Sequence, residues 1–262
     1  MKFYRDYIKK TLSLIGSSKD KNKFLLDELL RHNVQEILGI NNIHNQKEIS
    51  TLEELLKDLM GTSLVEGLCI IRSLKNTENI EGDICEFGVA QGKTSKLIGY
   101  LIKNLSKKLY LIDSFQGLPT PTKEDELKDD IFNLGNMQNY TGKMSHSENK
   151  VLNELNSINF DKKRLIINKG FFNKSSDESM NLPTKVSFAY LDFDFYQPTI
   201  DGLNYLKNVL SSGGIIIVDD YDFFSTGAKK SVDEWFNLNS KNYSLEIVKT
   251  KSASFAIIRK NK

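Results

Sequence analysis

Four aspartates stand where carboxylates are costly unless something offsets their charge. Asp192 and Asp194 follow the apolar run Val186 to Leu191, and Asp219 and Asp220 follow the run Gly214 to Val218. Short apolar runs of this kind read as buried strands, and ligand sites of open α/β sheets lie beyond the carboxyl ends of such strands. Like charges gathered there repel one another and resist ionisation. A bound cation resolves the conflict, and an all-oxygen donor set points to Mg2+ or a similar hard divalent ion. The competing reading makes them helix caps and turn aspartates that point into water. Asp192 and Asp194 are separated by one residue, so a continuing strand would send both to one side.

Two further constellations suit an organic ligand. Glu86-Phe87-Gly88-Val89-Ala90-Gln91-Gly92-Lys93-Thr94-Ser95 follows a short apolar strand. Gly88 and Gly92 would let backbone approach a ligand, and the helix start at Thr94 and Ser95 would favour a carboxylate or phosphate. The spacing is not that of the G-x-G-x-x-G dinucleotide fingerprint. An acid just before the first glycine suits a cationic ligand part, such as the amino group of a methionyl moiety; a tight turn with no ligand is the alternative. Asp113 and Ser114 end the next strand, where a carboxylate commonly receives two ribose hydroxyls. Gly170-Phe171-Phe172 follows a third strand, and one phenylalanine is expected on an adenine ring while the other packs in the core.

These residues need a frame to hold them. From Asp83 the pattern alternates strand and helix: strands at Asp83 to Phe87, Leu109 to Ile112, Arg164 to Asn168, Val186 to Leu191 and Gly214 to Val218. Helices are expected at about Thr94 to Leu105, Thr199 to Leu210 and Ala228 to Phe236, with a closing antiparallel pair at Ser244 to Val248 and Ser254 to Ile258. That rhythm predicts a doubly wound, mostly parallel seven-stranded sheet with helices on both faces. Residues 1–78 are expected to be a helical extension and residues 79–262 the sheet domain. In the extension, Phe24, Leu25, Leu29 and Leu30 follow helix spacing. Thr51 is read as an N-cap answered by Glu54, with Leu55, Leu56, Leu59 and Met60 as the apolar face. A further helix is expected from Leu64 to Leu74. A polar segment at about 119–159, carrying Phe132 and Tyr140, is placed where a lid or acceptor-binding element would sit, or else is a surface loop.

Composition limits the partners. Net charge is only +2, so there is no general electrostatic case for nucleic acid. No apolar run reaches the roughly 18 residues of a membrane span. The basic-then-apolar start, with its apolar part from Thr11 to Gly16, is expected to be a short amphipathic helix. Cys69 and Cys85 read as core thiols of a reducing compartment, which makes the cytoplasm the expected location. His32 and His44 are expected at the surface of the extension, and His146 is read as a solvated loop histidine, with contact to an acceptor as the alternative. Tyr196 and Tyr221 flank the acidic motifs as packing residues or hydrogen-bond donors.

The motifs Glu-Phe-Gly-Val-x-x-Gly, Asp-Ser-Phe-x-Gly-Leu-Pro, Lys169-Gly170-Phe171-Phe172, Leu-Asp-x-Asp-x-Tyr-x-x-Thr and Asp-Asp-Tyr occur in that order between Glu86 and Tyr221. As an ordered set, over about Leu59 to Phe236, they resemble the macrocin O-methyltransferase family, metal-dependent enzymes that methylate sugar hydroxyls on natural products. The resemblance implies a Rossmann-like class I methyltransferase fold, S-adenosylmethionine as methyl donor and Mg2+ as metal. It makes Asp192, Asp219 and Asp220 the metal ligands and Asp194, beside Asp192, the catalytic base, with a cap or supporting role as the alternative for Asp194. It implies a sugar or nucleotide-sugar acceptor and a homo-oligomer joined through N-terminal helices. Ala90-Gln91 and Lys93 depart from the aromatic-arginine pair and second glycine common in the family, and Pro198 replaces its usual serine. A nicotinamide-dependent reductase and a non-catalytic cofactor-binding scaffold are the other readings.

Overall fold

The computed structural model describes residues 18–39, 46–251 and 253–262. The expected helix at the start and His44 lie outside them. The chain divides into two compact units between Lys57 and Asp58.

The first unit contains helices α1 (Ser18–Leu38) and α2 (Gln46–Lys57). Leu30 and Val34 of α1 and Ile49, Leu52, Leu55 and Leu56 of α2 are buried. Arg31 bonds Glu53 at 2.9 Å, and Lys57 pairs with Asp27 at 2.6 Å. Two expectations are corrected here. Thr51 is no cap: α2 starts at Gln46, and the Thr51 hydroxyl donates back to the Lys47 carbonyl at 2.8 Å. The apolar period already includes Ile49, so the helix begins a turn earlier than the capping pattern suggests. Leu59 and Met60 lie beyond its end and form no part of its apolar face.

The second unit begins with α3 (Leu64–Thr77), capped by Ser63, whose hydroxyl accepts from the Glu66 N–H. This helix packs against the sheet, which is why the division falls earlier than the expected break after residue 78. There follow β1 (Asp83–Phe87), α4 (Lys93–Ile102), β2 (Leu109–Asp113), α5 (Glu148–Ser157), β3 (Leu165–Lys169), β4 (Val186–Leu191), α6 (Tyr196–Val209), β5 (Leu210–Val218), α7 (Gly227–Asn239), β6 (Tyr243–Lys249) and β7 (Ser254–Lys260). The sheet has seven strands in the order β3-β2-β1-β4-β5-β7-β6. The first five are parallel, and β7 lies antiparallel between β5 and β6. All six residues of β4 are buried, as a strand covered by helices on both faces requires.

Strand order reverses between β1 and β4, so their carboxyl ends splay around a crevice. The register makes that crevice a row. Ile112, Leu191 and Val218 pair in sequence outward from Phe87. The ladder then runs one residue further: Gly88 N–H donates to Ile112, Asp192 N–H to Phe87 and Asp219 N–H to Leu191, all at 2.8–2.9 Å. Gly88, Asp113, Asp192 and Asp219 thus leave the sheet edge at one level.

The polar segment between β2 and β3 is not one loop. Its last part is α5, the crossover helix, with Val151 and Leu155 buried. Its polar sequence hid a narrow apolar stripe. The preceding part closes on itself through Leu118 N–H to Lys143 and Gly142 N–H to Leu118, both at 2.9 Å. It builds a small core of Leu118, Met137 and Tyr140 with Phe195 and Phe224. Asp125 from this segment accepts from the Tyr196 N–H at 2.7 Å, capping α6 from a distance.

Candidate active site

A cavity of about 450 Å³ runs along the carboxyl ends of β3, β2, β1, β4 and β5, within the range of small-molecule sites. Gly170, Phe171 and Phe172 line it beyond β3, Asp113 and Ser114 beyond β2, Gly88 beyond β1, Asp192 and Asp194 beyond β4, and Asp219 and Asp220 beyond β5. A larger, more open hollow of about 930 Å³ lies at the opposite edge, around Asp83, Lys107 and Lys185. None of the sequence-predicted site residues lines it, and ligand sites of parallel sheets lie at the carboxyl edge.

The turns out of the strands are sharply bent. Ala90, Phe115, Asp194 and Asp220 all adopt left-handed backbone, with φ of 46°, 55°, 62° and 53°. Such conformations cost energy for residues with a side chain and gather where a site over-determines the geometry. Gly88 has no choice of residue: at φ 79°, a Cβ there would lie 1.8 Å from the Asp192 carbonyl oxygen.

Three carboxylates meet in the cavity. Asp192, Asp194 and Asp220 each offer an oxygen, all within 4.8 Å of one another. Because the strand ends at Leu191, it is the left-handed turn at Asp194, and not continuing strand alternation, that returns this side chain to Asp192. Asp219 is held apart from the trio. Its Oδ2 accepts the Tyr190 hydroxyl at 2.6 Å and its Oδ1 accepts the Asp220 N–H at 2.7 Å. Withdrawal from water raises the proton affinity of Asp192, Asp194 and Asp220 well above the usual carboxylate range, and their mutual repulsion adds to it. Asp219 is raised by burial and eased by the Tyr190 hydrogen bond. Glu66, buried beside it, is raised well above its ordinary value by burial and by Asp219. Either protons or a cation must balance such a set, and convergent carboxylate oxygens fit a divalent metal.

The predicted donor residues separate into two groups. Asp113 is fixed at the cavity wall: its Oδ2 accepts from the Val89 and Ala90 N–H groups at 2.6 and 3.0 Å, and its Oδ1 from Phe115 N–H at 2.6 Å. A carboxylate accepts about four hydrogen bonds, so capacity remains for a ligand hydroxyl. Ser114 is tied to its own turn, donating to the Gly117 carbonyl at 3.1 Å. Phe171 is 42% exposed at the cavity, whereas Phe172 is buried against Phe87 and Phe193, with ring centroids 5.2 and 5.9 Å away. Glu86, Gly92, Thr94 and Ser95 do not line the cavity. Glu86 is wholly buried, with its carboxyl pushed up to about 8 by burial, against which the nearby Ser95 hydroxyl acts. Gly92 packs on Val151 of α5, and the Thr94 hydroxyl is 2.8 Å from that of Thr62.

Lys93 turns away from the cavity into ion pairs of 2.8 Å with Asp58 and Glu154, which Lys96 also joins. Pro198 occupies the first turn of α6, where a missing N–H is harmless. His146 lines the cavity half-buried and is not a fully solvated loop residue; its proton affinity is lowered by burial and by Lys150. The Tyr196 hydroxyl donates to Glu234 and that of Tyr221 to Asp233, both at 2.6 Å, so both serve packing around α7. Sequence reasoning missed Tyr190, Thr62 and Glu66, and the rim residues Met60 and Phe223; Phe132, expected in a lid or acceptor-binding segment, also lines the rim. A signal existed for Tyr190: it stands two residues before Asp192, on the same strand face.

Comparison with known proteins agrees with the fold and the motifs. The O-methyltransferase NovP superposes with a TM-score of 0.63 at 20% identity, covering 76% of this chain and 81% of NovP. The 8-demethyl-8-(2,3-dimethoxy-alpha-L-rhamnosyl)-tetracenomycin-C 4'-O-methyltransferase of Streptomyces olivaceus is 28% identical over 156 residues, 55% of this chain and 54% of the relative. The demethyldecarbamoylnovobiocin O-methyltransferase of Streptomyces niveus is 23% identical over 210 residues, 78% of this chain and 68% of the relative. The chain thus spans about half the length of the first relative and about two thirds of the second. The pattern of the macrocin-O-methyltransferase (TylF) family matches residues 57–255. The resemblance read from the ordered motifs is therefore borne out, and the chain belongs to the macrocin-O-methyltransferase family.

Proposed function

We propose that the protein transfers a methyl group from S-adenosylmethionine to a hydroxyl of a sugar or sugar-containing metabolite, with Mg2+ at the acidic strand tips. The observation that carries this reading is the meeting of Asp192, Asp194 and Asp220 in the cavity that Asp113 and Phe171 also line, in a chain of this family. The donor half comprises Asp113 for the ribose and Phe171 for the adenine. Gly88 brings backbone close to the methionyl end. Glu86, Gly92, Thr94 and Ser95 support this half from beneath, by shaping the turn and the start of α4.

Asp192 and Asp220 would be metal ligands, a reading supported by their place in the converging trio. Asp219 is proposed as the third, its Tyr190 hydrogen bond being the outer support that ligating carboxylates commonly have. When bound, Mg2+ would lower the pKa of the acceptor hydroxyl and fix a neighbouring oxygen. Asp194 takes the hydroxyl proton. The acceptor oxygen attacks the sulfonium methyl carbon in line, the carbon–sulfur bond breaks, and its electron pair returns to sulfur. The remaining work is orientation, which the fixed strand tips provide. Met60, Phe132 and Phe223 at the rim offer apolar contact to the part of the acceptor outside the methylated ring.

Two variants separate the roles. Asp194→Asn is expected to bind Mn2+ as the parent does but to lose at least a hundredfold in turnover, whereas Asp219→Ala loses Mn2+ affinity as well. Full turnover by Asp194→Asn would remove the base role, and unchanged Mn2+ affinity in Asp219→Ala would remove Asp219 from the ligand set.

A further inference from the structure

Beneath the acidic tips lies a chain of buried hydroxyls. Tyr190 (1% exposed), Thr62 (8%) and Thr94 (7%) are withdrawn from solvent. The Tyr190 hydroxyl lies 2.6 Å from Asp219 Oδ2, the Thr62 hydroxyl 3.3 Å from that of Tyr190, and the Thr94 hydroxyl 2.8 Å from that of Thr62. An ionised carboxylate only accepts, and each hydroxyl has one proton to give. Tyr190 therefore donates to Asp219 and can only accept from Thr62, which in turn can only accept from Thr94. While Asp219 is ionised, as a metal ligand must be, the polarity of the chain runs one way, from Thr94 to Asp219. It begins in the first turn of α4, behind the glycine turn of the donor half, and ends on a carboxylate of the metal half.

Asp219 has little freedom left. Tyr190 holds one oxygen and the Asp220 N–H the other. Glu66, 1% exposed, packs alongside with one carboxyl oxygen lacking a hydrogen-bond partner among the described residues. Loss of the Tyr190 hydroxyl would release Asp219 Oδ2 from its 2.6 Å bond and leave Glu66 as its side-chain neighbour.

We propose that Tyr190 is a positioning residue: through its hydrogen bond, ordered by Thr62 and Thr94, it presents the Asp219 carboxylate to the metal and couples that half of the site to the donor turn. This rests on the metal reading given above.

The test titrates Mn2+ alone into the full chain by calorimetry and by electron paramagnetic resonance. Tyr190→Phe is expected to weaken Mn2+ affinity by about 10- to 100-fold, as loss of an outer-shell partner typically does. It is also expected to change the line shape of the bound ion, which a general loss of stability would not do. Tyr243→Phe is the control. It removes another buried tyrosine hydroxyl, bonded to the Lys207 carbonyl at 3.3 Å, and is expected to stay within twofold of the parent. If Tyr190→Phe fails to fold by circular dichroism, Thr62→Val carries the test, with an expected loss of threefold or more. Affinity within twofold of the parent in the folded variant overturns the positioning role and leaves the metal reading standing. A parent chain that binds no Mn2+ overturns the metal reading, and the positioning role with it.

Discussion

Glu86 carries a carboxyl group wholly inside the protein, and neither oxygen has a hydrogen-bond partner among the described residues. Burial pushes it up to about 8 from an ordinary value near 4.5, so the folded chain holds a proton there that the unfolded chain has lost. Stability from this group is complete below about pH 4.5, falls by up to ~1.4 kcal/mol per pH unit, and levels off above about pH 8. Glu86→Gln should remove that slope, so the difference between parent and variant urea-unfolding curves should grow from pH 5 to pH 8 in favour of the variant. Parallel curves would show that the carboxyl is not held neutral. The two phenylalanines after β3 separate just as sharply. Phe172→Ala opens the core and should cost about 3–5 kcal/mol. Phe171→Ala should leave stability nearly unchanged and weaken S-adenosylmethionine binding about tenfold, through a lost base contact. Equal effects of the two on calorimetric donor affinity and on unfolding would contradict this division. The pair was legible in the sequence; which ring packs and which one faces the ligand was not, because both follow the same strand and only the packing of Phe87 and Phe193 decides.

At the scale of elements, the site is a consequence of register. Each parallel strand stops within a residue of the others, so one ladder row delivers Gly88, Asp113, Asp192 and Asp219 to a common level. The close approach of Gly88 to the Asp192 backbone locks β1 to β4 at that level. Gly88→Ala combines a left-handed φ with an impossible contact, so it should destabilise the fold by several kcal/mol or displace Asp192 and lose metal affinity. A thermal melt and an Mn2+ titration both matching the parent would refute the lock. The strands were legible because buried parallel strands read as apolar runs, and each of the five was expected within a few residues of its place. Helix α5 was not, because its buried face is carried by little more than Val151 and Leu155 in a polar sequence. The start of α2 was misread because Thr51 satisfies a capping pattern inside a continuing apolar period. Tyr190 comes from β4, Thr62 from the bend before α3 and Glu66 from the first turn of α3, and only the folded chain places them under one carboxylate.

At the scale of the molecule, the sheet unit from Asp58 onward contains every residue proposed for donor, metal and proton transfer. No described helix is long and apolar enough to cross a membrane. The family assignment and the cavity point to one chemistry, and its two halves can be challenged in a single assay. Purified protein is incubated with S-adenosylmethionine carrying a labelled methyl group and a panel of glycosylated and nucleotide-linked sugars, with EDTA and then with excess Mg2+. The expected result is label on an acceptor hydroxyl, loss of transfer with EDTA, and recovery with Mg2+. Transfer to the same acceptor at full rate in EDTA, unaffected by Asp219→Ala, would contradict the metal-assisted mechanism at its centre.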